Sequence, residues 1–150
     1  MRSIGHQSSL ITASVLVLLT MMLVTAPVFA DGNNISVHIV KFIYADHGGP
    51  KDNLAVMVIV RISCDEQSSG TLTVSLTLVG PDHNPVDLGT GASKSTNTVC
   101  GPHIIAFNFL DVLKQSGWYT ITATATFNGL SGSGTLTFDP SSDGGHGPPG

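Results

Sequence analysis

Glutamate is almost missing from this chain. Of ten acidic residues only Glu66 is a glutamate, and charged residues of both signs make up 11% of the sequence. Thr, Val, Ser and Gly abound instead, a balance that disfavours long helices and favours strands and turns. Basic residues are fewer than acidic ones, six Lys+Arg against ten Asp+Glu. Without Arg2 the count is five against ten, a net charge of −5. No basic patch exists, which argues against a nucleic-acid partner. The charge is scattered and serves solubility rather than steering. No pair of cysteines or histidines has the Cys-x-x-Cys or i, i+4 spacing that marks a zinc site. Gly-x-Ser-x-Gly and phosphate-loop patterns are also lacking. The expectation is a protein that is not an enzyme and carries no cofactor.

The first thirty residues read as an export signal. Arg2 is the only charged residue before Asp31, and Leu10 to Val24 is apolar apart from Thr12, Ser14 and Thr20. Pro27 breaks the run, and Val28-Phe29-Ala30 places small residues where a signal peptidase reads, so cleavage is expected after Ala30. The alternative is an uncleaved anchor, but the run of about 15 residues is shorter than the ~20 a spanning helix needs. The expected layout is a signal helix over 1–30, one β-domain over 31–139 and a disordered tail over 140–150. The tail holds Asp, Ser, Gly, His and Pro, which cannot build a core. The expected location is secreted, extracellular or at the cell surface, with no membrane contact after cleavage.

In an oxidising compartment an even number of cysteines reads as a disulfide, here Cys64 with Cys100. Closing a loop of about 37 residues stabilises a fold by about 4 kcal/mol in the chain-entropy picture. The alternative is two separate buried thiols.

What the sequence has in plenty is alternation of period two. Thr71 to Leu78 sets an aliphatic residue at every second place and a hydroxyl at the others, so one face is buried and one wet. Tyr119 to Phe127 repeats the design, with Tyr119, Ile121, Ala123, Ala125 and Phe127 on one side. Thr135 to Phe138 is a shorter copy. Leu54 to Cys64 is apolar on both rows, which suits a central or covered strand. Its off-row residues Met57 and Ile59, and Trp118 beside the Tyr119 row, are candidate contact residues. Ile35 to Tyr44 switches its apolar row from odd to even positions, which predicts a bulge or a strand that changes sheet. His103 to Phe109 is a further strand and Val86 to Leu88 a weak edge candidate. Gly89 to Asn97 reads as a polar loop, and Asp111 to Gln115 as a single helical turn. About seven short strands at this spacing indicate an all-β sandwich or barrel.

Two stretches carry a resemblance. Leu113-Lys114-Gln115-Ser116-Gly117-Trp118-Tyr119-Thr120-Ile121 resembles the corner before strand F of immunoglobulin-like and fibronectin type III-like domains. There a Tyr bonds back to the corner backbone, the part Tyr119 would play. Leu76 to Val86, with Gly80-Pro81-Asp82-His83-Asn84-Pro85 at its turn, looks like the strand–turn–strand of secreted prokaryotic immunoglobulin-like domains. The resemblance spans about Ile35 to Asp139 and implies a two-sheet sandwich. It departs from the antibody pattern: Cys100 precedes the corner, and Trp118 adjoins Tyr119 instead of lying on the third strand.

Several chemistries compete with that reading. Cys100-Gly101-Pro102-His103 resembles part of a copper loop, with His83 as a second imidazole, but no Met or Gln follows to complete the set. Cys100 also has Cys64 as a disulfide partner, so no metal site is expected. His38, His47, His83 and His103 are scattered. Asp65-Glu66 and Asp82-His83-Asn84 are too small to hold calcium and serve turns. Asn34-Ile35-Ser36 is a glycosylation sequon. The Thr rows at 71, 73, 77 and at 120, 122, 124, 126 suggest a flat surface for a repetitive ligand such as glycan, or simply good strand formers on a wet face.

The expected function is a non-catalytic immunoglobulin-like binding or adhesion module whose partner is a protein or glycan at the cell surface. One alternative is a filament or surface-layer subunit that self-associates by strand addition, with Ile35 to Tyr44 as the donated strand. A copper-binding, cupredoxin-like protein is the other.

Overall fold

The computed structural model describes residues 32–45 and 51–142. The expected signal helix, His47 and the chain from 143 onward lie outside the described residues. Within them the alternating runs form eight strands: β1 (Asn34–Tyr44), β2 (Asn53–Ser63), β3 (Ser69–Val79), β4 (Pro85–Val86), β5 (Ser93–Val99), β6 (Gly101–Phe109), β7 (Tyr119–Phe127) and β8 (Leu130–Phe138). One sheet has three strands in the order β1-β2-β6. The other has five, β4-β3-β7-β8 with β5 also on β3. Every pairing is antiparallel. The architecture is an all-β, two-sheet sandwich.

The inward rows meet as one core. Leu54, Val56, Val58, Val60 and Ile62 from β2 lie with Leu72, Val74, Leu76 and Leu78 from β3 and with Ile121, Ala123 and Ala125 from β7. Each Val or Leu fully removed from water contributes about 1.5–3 kcal/mol. Phe107, Phe109, Tyr119, Phe127 and Phe138 close the ends, with Tyr119 stacked on Phe138 at 5.8 Å between ring centroids.

The two sides of the sandwich are built differently. On one side β1 lies beside β8. A methyl group on Gly132 would collide with the Ile35 carbonyl oxygen, and one on Gly134 would sit 2.6 Å from that of Val37. Glycine at these two places is what lets the backbones touch. On the other side β5 borders β6. Lys94 Nζ donates to the Ala106 carbonyl oxygen, and its ammonium lies 5.2 Å from the centroid of the Phe107 ring. A lysine on a strand margin blunts unwanted pairing there.

Five sequence expectations give way. β1 neither bulges nor changes sheet: its pairing with β2 runs unbroken from Asn34↔Ser63 to Tyr44↔Asn53. Its inward row is odd throughout, and the apolar even residues lie on the outer face. Ser93–Val99, inside and beyond the expected loop, is a strand. Its inward positions are Lys94, Thr96 and Thr98, so no hydrophobic row betrays it. Asp111 to Gln115 is no helix: Asp111 has φ of 56°, and the Val112 and Leu113 N–H groups both donate to the Asp52 carbonyl. β8 begins at Leu130, five residues before the expected start, because Gly132 and Gly134 occupy its inward row. Pro140–Ser142, placed in the tail by composition, forms a 3₁₀ turn in which Ser141 donates to Asp139.

Candidate functional site

The outer faces of the two sheets differ in chemistry. On the three-stranded sheet the outward rows are Ser36, His38, Val40, Phe42 and Tyr44 from β1, then Ala55, Met57, Ile59 and Arg61 from β2, then Pro102, Ile104, Ala106 and Asn108 from β6. The register sets His38, Ile59 and Ile104 in one row across the sheet, Val40, Met57 and Ala106 in the next, and Phe42, Ala55 and Asn108 in a third. Phe42 is 52% exposed and Ile104 65%. Met57 and Ile59, on the middle strand between them, are half-buried. Tyr44 reaches across the middle strand, and its hydroxyl donates to Asn108 Oδ1 at 2.7 Å. The result is a contiguous apolar surface with Arg61 at one end and the Tyr44–Asn108 pair at the other. Single exposed apolar residues are ordinary; a continuous patch marks an interaction site.

The five-stranded sheet turns hydroxyls outward. Thr73 Oγ1 lies 2.8 Å from Ser95 Oγ, and Ser75 Oγ lies 2.9 Å from Ser93 Oγ. Thr122 faces Thr135 at 3.3 Å. These side chains spend part of their bonding capacity on each other across strands, the ordinary cross-strand pairing of a wet sheet face.

The remaining candidates scatter. Trp118 is half-buried in the segment leading into β7 of the other sheet, so the structure separates it from Met57 and Ile59. Asn34 is exposed at the start of β1. Cys64 and Cys100 stand at disulfide distance, 2.04 Å between sulfurs, with no free cysteine among the described residues. Cys100 therefore has no thiolate to offer a metal, and His103 Nε2 lies 2.8 Å from the Val99 carbonyl oxygen. His38 is on the apolar face and His83 at the tip of the β3–β4 turn, with φ of 61°. Among the described residues no three His, Cys, Asp or Glu side chains are grouped to hold a metal ion. No helix among them is long and apolar enough to cross a membrane.

Tyr119 is buried to 1% exposure. Its hydroxyl accepts from the Gln115 N–H at 2.8 Å and donates to the Gln115 carbonyl at 2.9 Å. Above it Asp82 ties the β3–β4 turn to the same corner. The Asn84 side-chain amide, the Asn84 N–H and the Gln115 side chain all donate to its carboxylate and hold its pKa below the usual carboxylate value. A groove of about 320 Å³ opens beside this corner, lined by Val86, Asp87, Asp111, Val112, Lys114, Gln115 and Tyr119. Its Lys114 and Asp111 are paired at 2.7 Å and exposed, and the contact raises the Lys114 pKa. An exposed, mutually neutralised pair is no activated acid or base.

Sequence reasoning singled out Met57 and Ile59 but not the strands flanking them. The even-row switch in β1 was the signal for Val40 and Phe42. Ile104 left its own trace as an apolar residue off the Ile105, Phe107 and Phe109 row. No family model matches the chain, and no curated protein has a sequence that matches it.

Proposed function

We propose that this chain is an exported, non-catalytic immunoglobulin-like binding module whose contact surface is the outer face of the three-stranded sheet. The observation that carries this reading is the contiguous apolar patch of Val40, Phe42, Met57, Ile59 and Ile104. A sheet face left apolar beside a hydroxyl-covered one is a costly use of surface unless something covers it.

The strand order supports the immunoglobulin-like part. β1, β2 and β6 fall in the places of strands A, B and E, and β8, β7, β3 and β4 in those of G, F, C and C′. The double bond between Tyr119 and the Gln115 backbone matches the tyrosine corner of such domains. β5 departs from the antibody arrangement by pairing with β3. The unbroken pairing of β1 with β2 favours a self-contained module over a subunit that donates this strand.

The test is binding of the exported full chain to the surface of the cells that secrete it. Ile59→Lys and Phe42→Ser are expected to abolish binding, and Thr124→Lys on the hydroxyl face to leave it intact. Binding that ignores both apolar-face changes would refute the proposal. Sequencing the secreted chain checks the export step, with Asp31 expected as its first residue.

A further inference from the structure

We infer that the partner of the apolar face is a second copy of the same chain, the two packing face to face about a two-fold axis. This rests on the reading of that face as the contact surface and adds the identity and geometry of what covers it.

Charge is the first argument. The outward rows carry one permanent charge, Arg61, at one end of the face, with His38 one row nearer the centre. A face without a pattern of charges has little with which to select a foreign partner. It also meets no repulsion from its own image, provided the Arg61 ends do not coincide. Isologous two-fold pairs are the commonest way such a patch is closed.

Geometry then selects the axis. A two-fold axis along the strands would set Arg61 over the Arg61 of the second copy. An axis across the strands, through the row of Val40, Met57 and Ala106, sets Arg61 over the end occupied by Tyr44 and Asn108. That end offers an amide oxygen and a ring face, both good partners for a guanidinium. The same axis lays Ile59 over the small Ala55 of the other copy and Met57 over its own counterpart. Ile59 then meets a small side chain, while Phe42 meets His38 and Val40 its own counterpart.

Size decides the strength. Thirteen outward positions on three strands, spaced about 4.8 Å across and about 6.8 Å along the sheet, give a flat area of roughly 420 Å². Side-chain relief brings this toward the low end of stable interfaces, which take about 800 Å² per partner. The association is therefore expected to be weak. Each outer surface of the resulting four-layered particle is a hydroxyl-covered sheet.

Sedimentation equilibrium of the exported full chain across about 1 μM to 1 mM tests this, together with mild oxidation of Met57→Cys. Expected are a monomer–dimer equilibrium, a dissociation constant raised at least about 100-fold by Ile59→Lys, where a charge would be desolvated against Ala55 of the second copy, no change with Thr124→Lys, and a covalent dimer of Met57→Cys. A chain that stays monomeric throughout overturns the self-association. If Ile59→Lys still abolishes cell-surface binding in that case, the contact-surface reading stands and only the partner is wrong. A dimer insensitive to Ile59→Lys and lost in Thr124→Lys overturns both.

Discussion

The two sheets share a core recipe and differ in what they turn outward. Both put Val, Leu, Ile and aromatic residues on their inner rows. The five-stranded sheet alternates these with Ser and Thr along β3 and β7, so those two strands read as amphipathic. The three-stranded sheet alternates them with Val40, Phe42, Met57, Ile59 and Ile104, so β2 and part of β1 read as apolar on both rows. Two sheets of equal burial inside thus announce different relations to what lies outside. The position of a hydrophobic residue in the pleat, rather than its presence, separates core from contact surface.

That contrast holds only if the inner faces stay locked together, and the largest effects test the lock. Reducing the Cys64–Cys100 bridge is expected to lower stability by about 4 kcal/mol, read from urea unfolding with and without reductant. Gly134→Val forces a side chain against the Val37 carbonyl where β8 touches β1, and is expected to cost about 3 kcal/mol by the same measurement. An unchanged midpoint would mean the two strands are not in contact.

The next pair sets neighbouring residues against each other. Val58 is fully buried, so Val58→Thr buries a hydroxyl without a partner, with an expected loss of about 2 kcal/mol. Ile59→Thr, one residue on but facing outward, is expected to stay within about 0.5 kcal/mol. Equal losses would erase the distinction between inner and outer rows. On the other sheet Thr124→Val keeps a good strand former and is expected to leave stability within about 0.5 kcal/mol while increasing binding of an apolar dye.

The smallest effect is acidic. Asp82 has a lowered folded pKa, with the bond from the Asn84 side chain as its largest cause. The stability it contributes is present above its ordinary value of 3.8 and is lost as pH falls through the lower, folded value. Asp82→Asn is expected to lower the urea midpoint slightly at pH 7, to converge with the parent chain as pH falls through the folded value, and so to flatten the acid limb. An identical acid limb in the variant would assign that limb to other carboxylates.

Much of this was legible in the sequence. Thr71 to Leu78 and Tyr119 to Phe127 state their buried faces by alternation alone, and both are strands whose inner rows are buried. The Asn128-Gly129 turn joins β7 to β8 with φ of 47° and 81°, the left-handed pair a tight hairpin requires. What stayed illegible has physical reasons. β5 has no apolar inward row because it lies at the margin and covers Phe107 with a lysine stem. Half of β8 is hidden because its inward row is glycine, chosen for the nearness of another backbone that periodicity cannot register. The apolar face was legible only as anomalies, a row switch in β1 and off-row residues in β2, until pairing register set them side by side.

The contact between β1 and β8 also fixes how the folded chain would bear a load. Gly132 lies at Ile35 and Gly134 at Val37, so the first and last strands run in the same direction. The polypeptide enters the sandwich at one pole and leaves it at the other. Tension applied through the two ends therefore slides these strands along each other and must disrupt many contacts at once, instead of peeling them apart one by one. The strand direction alone sets this resistance to shear, with Gly132 and Gly134 as the points of closest approach.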